Sequence, residues 1–350
     1  MRANLNSRDS NFELSRIVAM AMIIIWHFIL HGLWGEYKFL DFNSFGPLHL
    51  DQYIQLGVST LFIVGVNLFV LISGYYRIIL KWRSIVNYYC LCLFYSAIIL
   101  ITSSAYSTIT LVDVIKLFFI SKIDNWFFKS YFILLLVSPI LNCAINSLSI
   151  SQYRFIVGLL LLITCVSGWI FKNGNETGYN AYQMFTMYLI GGYISKDGFF
   201  ETINRESALL LYFVFSVLLF ILELFFYYVL KTEVTSLLYY NNLLVILSSV
   251  SLFCFFKQLK IKSYTINLVA STVVAALFIQ IAVSAPLYKA FQKEYAANGF
   301  SCRLFLVMAV SFFAIFLFAF VIEVIRKRAF ERIISNASEK LNKICPLSFH

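Results

Sequence analysis

The first apolar stretch of the chain, RIVAMAMIIIWH, begins with Arg16 and ends with His27. Both side chains are costly in hydrocarbon, and ionisable residues inside membrane segments usually mark a functional site. Eleven positions along a helix span about 16 Å and return to within about 20° of the same face. The spacing therefore predicts one helix face with a cation at one membrane surface and an imidazole near mid-membrane. His31 continues this face one turn further along.

Each residue alone has a simpler explanation. Arg16 is also explained by snorkelling to the surface and by topology, because long basic side chains reach the interface from helix ends. His27 is also explained by a hydrogen bond between helices. Together they indicate an anion held at the cytoplasmic face and proton chemistry deeper in the membrane. Histidine suits such chemistry because its unperturbed pKa is about 6.5.

The second apolar segment ends in SGYY, with Tyr75, and a basic cluster of Arg77, Lys81 and Arg83 follows it. Three cations in a short loop are suited to binding phosphate groups. Topology alone explains such a cluster equally well.

Further candidate residues for substrate binding are scattered along the chain. Trp126, Lys129 and Tyr131 open a later apolar segment, where they suit either a sugar-binding surface or an aromatic belt at the membrane interface. Glu223 lies inside an apolar run, where a carboxylate is costly unless it is paired or hydrated. Gln280 is expected to form a hydrogen bond between helices.

The composition requires these residues to be positioned by membrane-spanning helices. Hydrophobic residues make up 61% of the 350 residues and charged residues 13%, whereas soluble domains have about 45–50% and about 25%. The sequence therefore predicts an all-α, polytopic integral membrane protein. At roughly 20 apolar residues per span, about ten transmembrane helices are expected, near 14–32, 53–76, 84–103, 126–146, 152–171, 180–195, 207–230, 239–256, 266–288 and 302–325. Segment 107–122 is shorter and amphipathic, which is typical of an interfacial or re-entrant helix.

The distribution of positive charge predicts the orientation. With the N-terminus in the cytoplasm, 18 of the 27 Lys and Arg residues fall in inner segments, as the positive-inside rule requires. Both termini are then cytoplasmic. Residues 1–325 are expected to form the membrane domain, and 326–350 a basic tail that lies on the membrane surface and contacts lipid. The net charge of +10 sits in short loops, which argues against nucleic acid as a partner.

No nucleophile elbow, phosphate-binding glycine loop or metal-ligand spacing is present in the sequence. The seven cysteines fall mostly inside apolar runs and are expected to be small buried side chains. A permanently bound cofactor or metal is therefore not expected. The lack of a Ser or Cys nucleophile motif favours direct group transfer over a covalent intermediate.

Several of these motifs together resemble the acyltransferase-3 family of bacterial membrane acyltransferases. They are Arg-x10-His in the first span, SGYY at the end of the second, the basic loop, and WFF…Y…PILN near 126–142. The resemblance covers nearly the whole chain. It implies a stand-alone enzyme of the bacterial inner membrane, with cytoplasmic acyl-CoA, usually acetyl-CoA, as donor. The acceptor it implies is a hydroxyl of a lipid-linked or extracytoplasmic glycan.

The resemblance also implies roles for residues. Arg16 and His27 match the family's essential arginine and histidine, which implies that Arg16 holds CoA and that His27 acts as general base. The family's Arg-x-x-Arg is replaced by Arg77, Lys81 and Arg83 at a different spacing. Many members have a histidine where this chain has Gln280. This difference concerns the identity of the acceptor or of the acyl group more than the reaction itself. Succinyl and longer acyl groups are alternatives to acetyl.

Two other functions fit the same composition. One is a lipid-linked oligosaccharide flippase, although the internal repeats typical of transporters are not seen. The other is a glycan polymerase, for which the predicted outer loop near 33–52 offers Asp41, His49 and Asp51. Binding of acyl-CoA would distinguish an acyltransferase from both.

Overall fold

The computed structural model describes residues 8–34, 46–118, 126–173, 175–231 and 237–347. Within these ranges the chain forms helices and turns and no β-strand. Apart from one turn at Phe199–Thr202, the helices are α1 (Ser10–Trp34), α2 (Leu50–Tyr76), α3 (Trp82–Ser103), α4 (Leu111–Phe118), α5 (Trp126–Ser147), α6 (Ile150–Ile170), α7 (Ala181–Lys196), α8 (Arg205–Leu230), α9 (Leu243–Lys257), α10 (Tyr264–Ala270), α11 (Val273–Asn298) and α12 (Cys302–Ile344).

Eight of these helices, among the described residues, are long and apolar enough to cross a membrane: α1, α2, α3, α5, α6, α8, α11 and α12. Two of the predicted spans are shorter helices, since α7 has 16 residues and α9 has 15. The prediction of an all-α, polytopic membrane protein is confirmed. Of the eight helices, α2 and α1 are the most buried and α12 is the most exposed.

The predicted ninth span, 266–288, is divided into α10 and α11. The break lies at Ser271 and Thr272, whose hydroxyls donate to the carbonyls of Leu268 and Val269. Such local side-chain bonds compete with the helical backbone pattern. Ser271 also lies on the wall of a cavity that contains Arg16.

The last helix is much longer than the predicted span 302–325. It continues to Ile344, a length of 43 residues, and no glycine or proline occurs in it. Beyond residue 325 it contacts α3, through Phe330 on Phe94 and an exposed ion pair between Glu331 and Arg83. Residues 326–344 of the segment predicted as a tail thus continue the helix and pack on the bundle.

The amphipathic segment 107–122 contains the short helix α4, whose apolar side chains Leu111, Ile115 and Phe118 are exposed. Residues 119–122 of this segment lie outside the described residues.

Glycines allow the central helices to approach closely. A Cβ at Gly65 of α2 would lie 2.7 Å from the Ala19 carbonyl oxygen of α1. A Cβ at Gly74 of α2 would lie 2.0 Å from the Tyr188 carbonyl oxygen of α7. Small residues at such contacts are typical of helix packing in membranes. The glycine of the SGYY motif, Gly74, therefore has a packing role beside α7, and Gly65 has the same role beside α1.

Candidate active site

Helix α1 carries both residues with which the sequence analysis began. It is α-helical from Ser10 to His27 and continues as a π-helix from Phe28 to Trp34. Single π-helical turns are often found at functional sites. Arg16 and His27 therefore lie on a regular helix, as predicted, but the irregular backbone begins directly after the histidine.

Arg16 lies on the wall of a cavity of about 680 Å³, called here the Arg16 cavity. This volume is within the range of small-molecule sites. Its wall also includes Arg8, Glu13, Tyr131 and Lys327. Of the residues predicted from sequence to bind the donor or the acceptor, Arg16 and Tyr131 are the two that line this cavity. Tyr131 lies 3.1 Å from Ser73 of α2, measured between the hydroxyl oxygens.

Arg16 is ion-paired inside this cavity. Glu13, one turn earlier on α1, accepts from the guanidinium groups of both Arg16 and Arg8 through the same oxygen. Its side chain is 6% exposed. One carboxylate therefore pairs with two cations. Because Asp9 also lines the wall, the three cations Arg8, Arg16 and Lys327 face two acids, and the surplus of one positive charge suits an anionic ligand.

Sequence reasoning missed Glu13, although its position three residues before Arg16 is the spacing at which side chains on a helix pair. It also missed Lys327, because the last helix was expected to end at residue 325. The absence of any glycine or proline between 326 and 345 was the available signal.

The three cations of the predicted basic loop are outside the Arg16 cavity. Arg77 directly follows α2, has a φ of 59° and donates to Asn146 of α5. It lines a separate cavity of about 420 Å³. Lys81 precedes α3 and is exposed, and Arg83 pairs with Glu331 in an exposed position. Tyr76 lines both this cavity and the Arg16 cavity, and its hydroxyl donates to Asp9 at 2.6 Å.

His27 lies on a second cavity of about 490 Å³, called here the His27 cavity. Its wall includes His31 and Trp126, so the structure brings three of the predicted site residues together. The rings of His27 and His31 are 5.4 Å apart between centroids. Tyr288 of α11 stacks on His31 at 6.0 Å.

Gln280 of α11 determines which nitrogen of His27 carries the proton. Its side-chain amide group donates to the carbonyl of Ile24 at 3.3 Å, so its oxygen faces His27. That oxygen lies 3.0 Å from His27 Nδ1, which must therefore be the donor in a neutral ring. Nε2 is then left unprotonated and able to accept a proton. The hydrogen bond between helices that was expected for Gln280 is present.

Three further aromatic rings, those of Trp126, Tyr179 and Tyr240, line the His27 cavity. Trp126 lies 5.3 Å from Tyr179 and 5.5 Å from Tyr240, measured between ring centroids. Both tyrosines also line the cavity. Apolar faces with polar edges of this kind suit the binding of a ligand that has both apolar surface and hydroxyl groups.

The Arg16 and His27 cavities have no lining residue in common among the described residues. On α1, Met20 and Ile23 lie between Arg16 and His27 and are 0% and 3% exposed. On α5, Phe127 contacts the rings of both Tyr131 and Trp126, one from each cavity. Packed side chains therefore separate the two cavities in this structure.

Other predicted site residues lie away from both cavities. Tyr75 packs between Phe12 and Phe253, and Lys257 lies over its ring at 5.8 Å. Lys129 is exposed on α5. Glu223 is 0% exposed, and neither carboxylate oxygen has a hydrogen-bond partner among the described residues.

The loop residues considered for a polymerase do not form a site in the described part of the chain. His49 caps the start of α2 together with Gln52, and Asp51 accepts from Tyr295. Asp41 lies outside the described residues. No group of three or more His, Cys, Asp or Glu side chains that could hold a metal occurs in the described ranges.

Fold and site together define an integral membrane protein of helices, with a cationic cavity and a histidine-lined cavity on one central helix. Residues 9–325 match the model of the acyltransferase-3 family, which is described as an acyltransferase domain. The chain therefore belongs to the acyltransferase-3 family and is a membrane acyltransferase, as the resemblance implied. It matches no curated protein and no solved structure.

Proposed function

We propose that this protein moves an acyl group, acetyl in the first instance, from cytoplasmic acyl-CoA to a hydroxyl of a lipid-linked or extracytoplasmic glycan. The observation that carries the proposal is that Arg16 and His27, on one helix, open onto two different cavities. A donor and an acceptor that approach from opposite sides of a membrane require two such sites. The protein is then a bacterial inner-membrane enzyme with both termini in the cytoplasm.

The Arg16 cavity is the donor site. The phosphates of CoA are too strongly charged to enter hydrocarbon, whereas its pantetheine arm is long and thin. Arg16 binds a phosphate through charge-assisted hydrogen bonds, which are about twice as strong as neutral ones. The arm then reaches along α1 towards His27, about 16 Å away at 1.5 Å per residue.

The His27 cavity is the acceptor site. His27 Nε2 takes the proton of the acceptor hydroxyl as its oxygen attacks the thioester carbonyl. The carbon–sulfur bond breaks, the ester forms, and the CoA thiolate leaves. The imidazolium returns its proton to the thiolate, so the ring is neutral again after each turnover. Gln280 holds the ring in the tautomer that this step needs.

This path requires the side chains between the cavities to move. Met20 and Phe127 are buried in the present arrangement, and the arm must displace them to bring the thioester to His27. A barrier that opens only around the donor would keep water from the thioester until the arm is bound.

The test has two parts. Binding of acetyl-CoA to the purified protein in detergent is measured for the wild type and Arg16→Gln, and transfer of labelled acetyl is measured for the wild type and His27→Ala. We expect Arg16→Gln to lose affinity by about tenfold or more, and His27→Ala to bind acetyl-CoA but transfer nothing.

Two results would contradict the proposal. A folded wild type that binds no acyl-CoA would favour a flippase or a polymerase. Transfer retained in a correctly inserted His27→Ala variant would exclude the general-base role.

A further inference from the structure

Lys327 brings a second positive charge to the wall of the Arg16 cavity from the far end of the chain. Its Nζ donates to the Ser271 carbonyl at 2.6 Å, at the break between α10 and α11. Ser271 lines the same cavity. The lysine side chain is 24% exposed and has two further N–H groups, so it is held in place without being sealed off.

The carboxylate nearest to Lys327 is already occupied. Glu323 accepts two hydrogen bonds from Arg326, each of 2.8 Å, and a third from Tyr95 at 3.1 Å. Lys327 Nζ lies 3.8 Å from Glu323, beyond a direct hydrogen bond. Arg326 is only 1% exposed and stands behind the wall. This group of two cations and one carboxylate therefore has surplus positive charge, and Lys327 is its member on the cavity.

Near the start of α1, two cations likewise pair with one carboxylate, because Arg8 and Arg16 share Glu13. Asp9, the other acid on the cavity wall, accepts from the Tyr76 hydroxyl. Cations from two different helices thus meet at one cavity of about 680 Å³, whose wall carries the three cations Arg8, Arg16 and Lys327 against the two acids Asp9 and Glu13. Two separate positive sites match a ligand with phosphate groups at more than one position, and CoA carries both a pyrophosphate and a phosphate on its ribose.

We propose that Lys327 binds a phosphate of the CoA donor and forms, with Arg16, the phosphate-binding part of the Arg16 cavity. This inference rests on the proposed function. It assigns the second cation to α12 instead of to the loop that contains Arg77, Lys81 and Arg83. Lysine binds phosphate as a compact point charge, so loss of the charge matters more than loss of the shape.

The experiment compares acetyl-CoA binding by Lys327→Gln, Lys327→Arg and Arg328→Gln in detergent. Arg328 is the matched control, because it is the adjacent residue, carries the same charge, and is exposed. We expect Lys327→Gln to raise Kd by about tenfold or more. Lys327→Arg is expected to keep most of the affinity, and Arg328→Gln to stay within about twofold of wild type, as an exposed charge contributes little.

Equal affinity of Lys327→Gln and Arg328→Gln would overturn the inference, whether both are weakened or neither is. If the wild type binds acetyl-CoA and Arg16→Gln does not, that result would leave the proposed function intact. If the wild type itself binds no acyl-CoA, the proposed function fails first.

A second measurement uses the wild-type protein alone and so does not depend on the folding of a variant. Reductive methylation of lysines is followed by mass spectrometry with and without saturating CoA. We expect CoA to protect Lys327, while Lys343, exposed near the end of the same helix, is modified at an unchanged rate. Modification of Lys327 at the same rate with and without CoA would contradict the assignment.

Discussion

Replacing Gln280 with methionine tests the role of this residue in orienting His27. Methionine keeps the length of the side chain and removes its acceptor and donor. His27 Nδ1 then loses the oxygen that lies 3.0 Å away in the wild type. Gln280 is 1% exposed, so water does not simply replace it. The Ile24 carbonyl still accepts from the backbone N–H of Phe28, so the helix itself keeps its bonds.

The size of the effect follows from the lost hydrogen bond. A buried polar group left without a partner costs about 1–3 kcal/mol. At about 1.4 kcal/mol per factor of ten, kcat is expected to fall roughly 5- to 150-fold. Affinity for acetyl-CoA should stay within about twofold, because the phosphates bind in the other cavity.

The assay measures transfer of labelled acetyl from acetyl-CoA to the acceptor glycan in membranes, beside donor binding by the purified protein. Gln280→His serves as the rescue variant, since a second imidazole can also accept from Nδ1 and is the residue that the resemblance implies for many relatives. We expect it to recover a large part of kcat. A merely structural role for Gln280 would lower the amount of folded protein and donor binding along with kcat.

An unchanged kcat in Gln280→Met would refute the reasoning, because the tautomer would then not depend on this contact. Parallel losses of kcat and of acetyl-CoA affinity would refute it as well, because they would show that the two cavities do not act separately.

Two further predictions address packing and the acceptor. Gly74→Ala should destabilise the protein by about 1–3 kcal/mol or more, since its Cβ would lie 2.0 Å from the Tyr188 carbonyl oxygen. Gly158→Ala, at a helical glycine where an added methyl group would meet no atom within 4 Å, is the control and should be neutral or slightly stabilising in the same thermal-unfolding assay. Trp126→Ala should raise KM for the acceptor about tenfold with donor Kd unchanged, because Trp126 lines the His27 cavity and not the Arg16 cavity. A changed donor Kd with an unchanged acceptor KM would contradict the assignment of the two cavities.

Much of the fold was predictable because apolar runs must be helices in a membrane. Every predicted span contains a helix, since backbone groups in hydrocarbon have to be bonded within the segment. The residues at which the helices begin and end were less predictable. Nothing in the apolar pattern showed that Ser271 and Thr272 would divide one predicted span, since their competing bonds are local side-chain choices.

The candidate site was partly predictable. The placement of Arg16 and His27 on one helix face follows from their spacing alone. The grouping of His31 and Trp126 with His27 depended on tertiary packing, which places residues of α1 and the start of α5 on one cavity, although each residue was named from sequence. Arg77 and Arg83 were grouped with Arg16 by charge pattern but do not line its cavity, because Arg77 lines a different cavity and Arg83 pairs with Glu331 of α12.

The sequence by itself determined that this chain is a helical membrane protein and that one helix joins a cation to a deep histidine. Both follow from composition and from the fixed rise and turn of an α-helix, which are local properties. Only the tertiary structure decided which charges share a cavity with Arg16, and it selected Lys327, 311 positions further along the chain. It also decided that Gln280 meets His27, 253 positions away. Contacts at such separations depend on how whole helices pack, and a residue's own neighbours in the sequence carry no record of that packing.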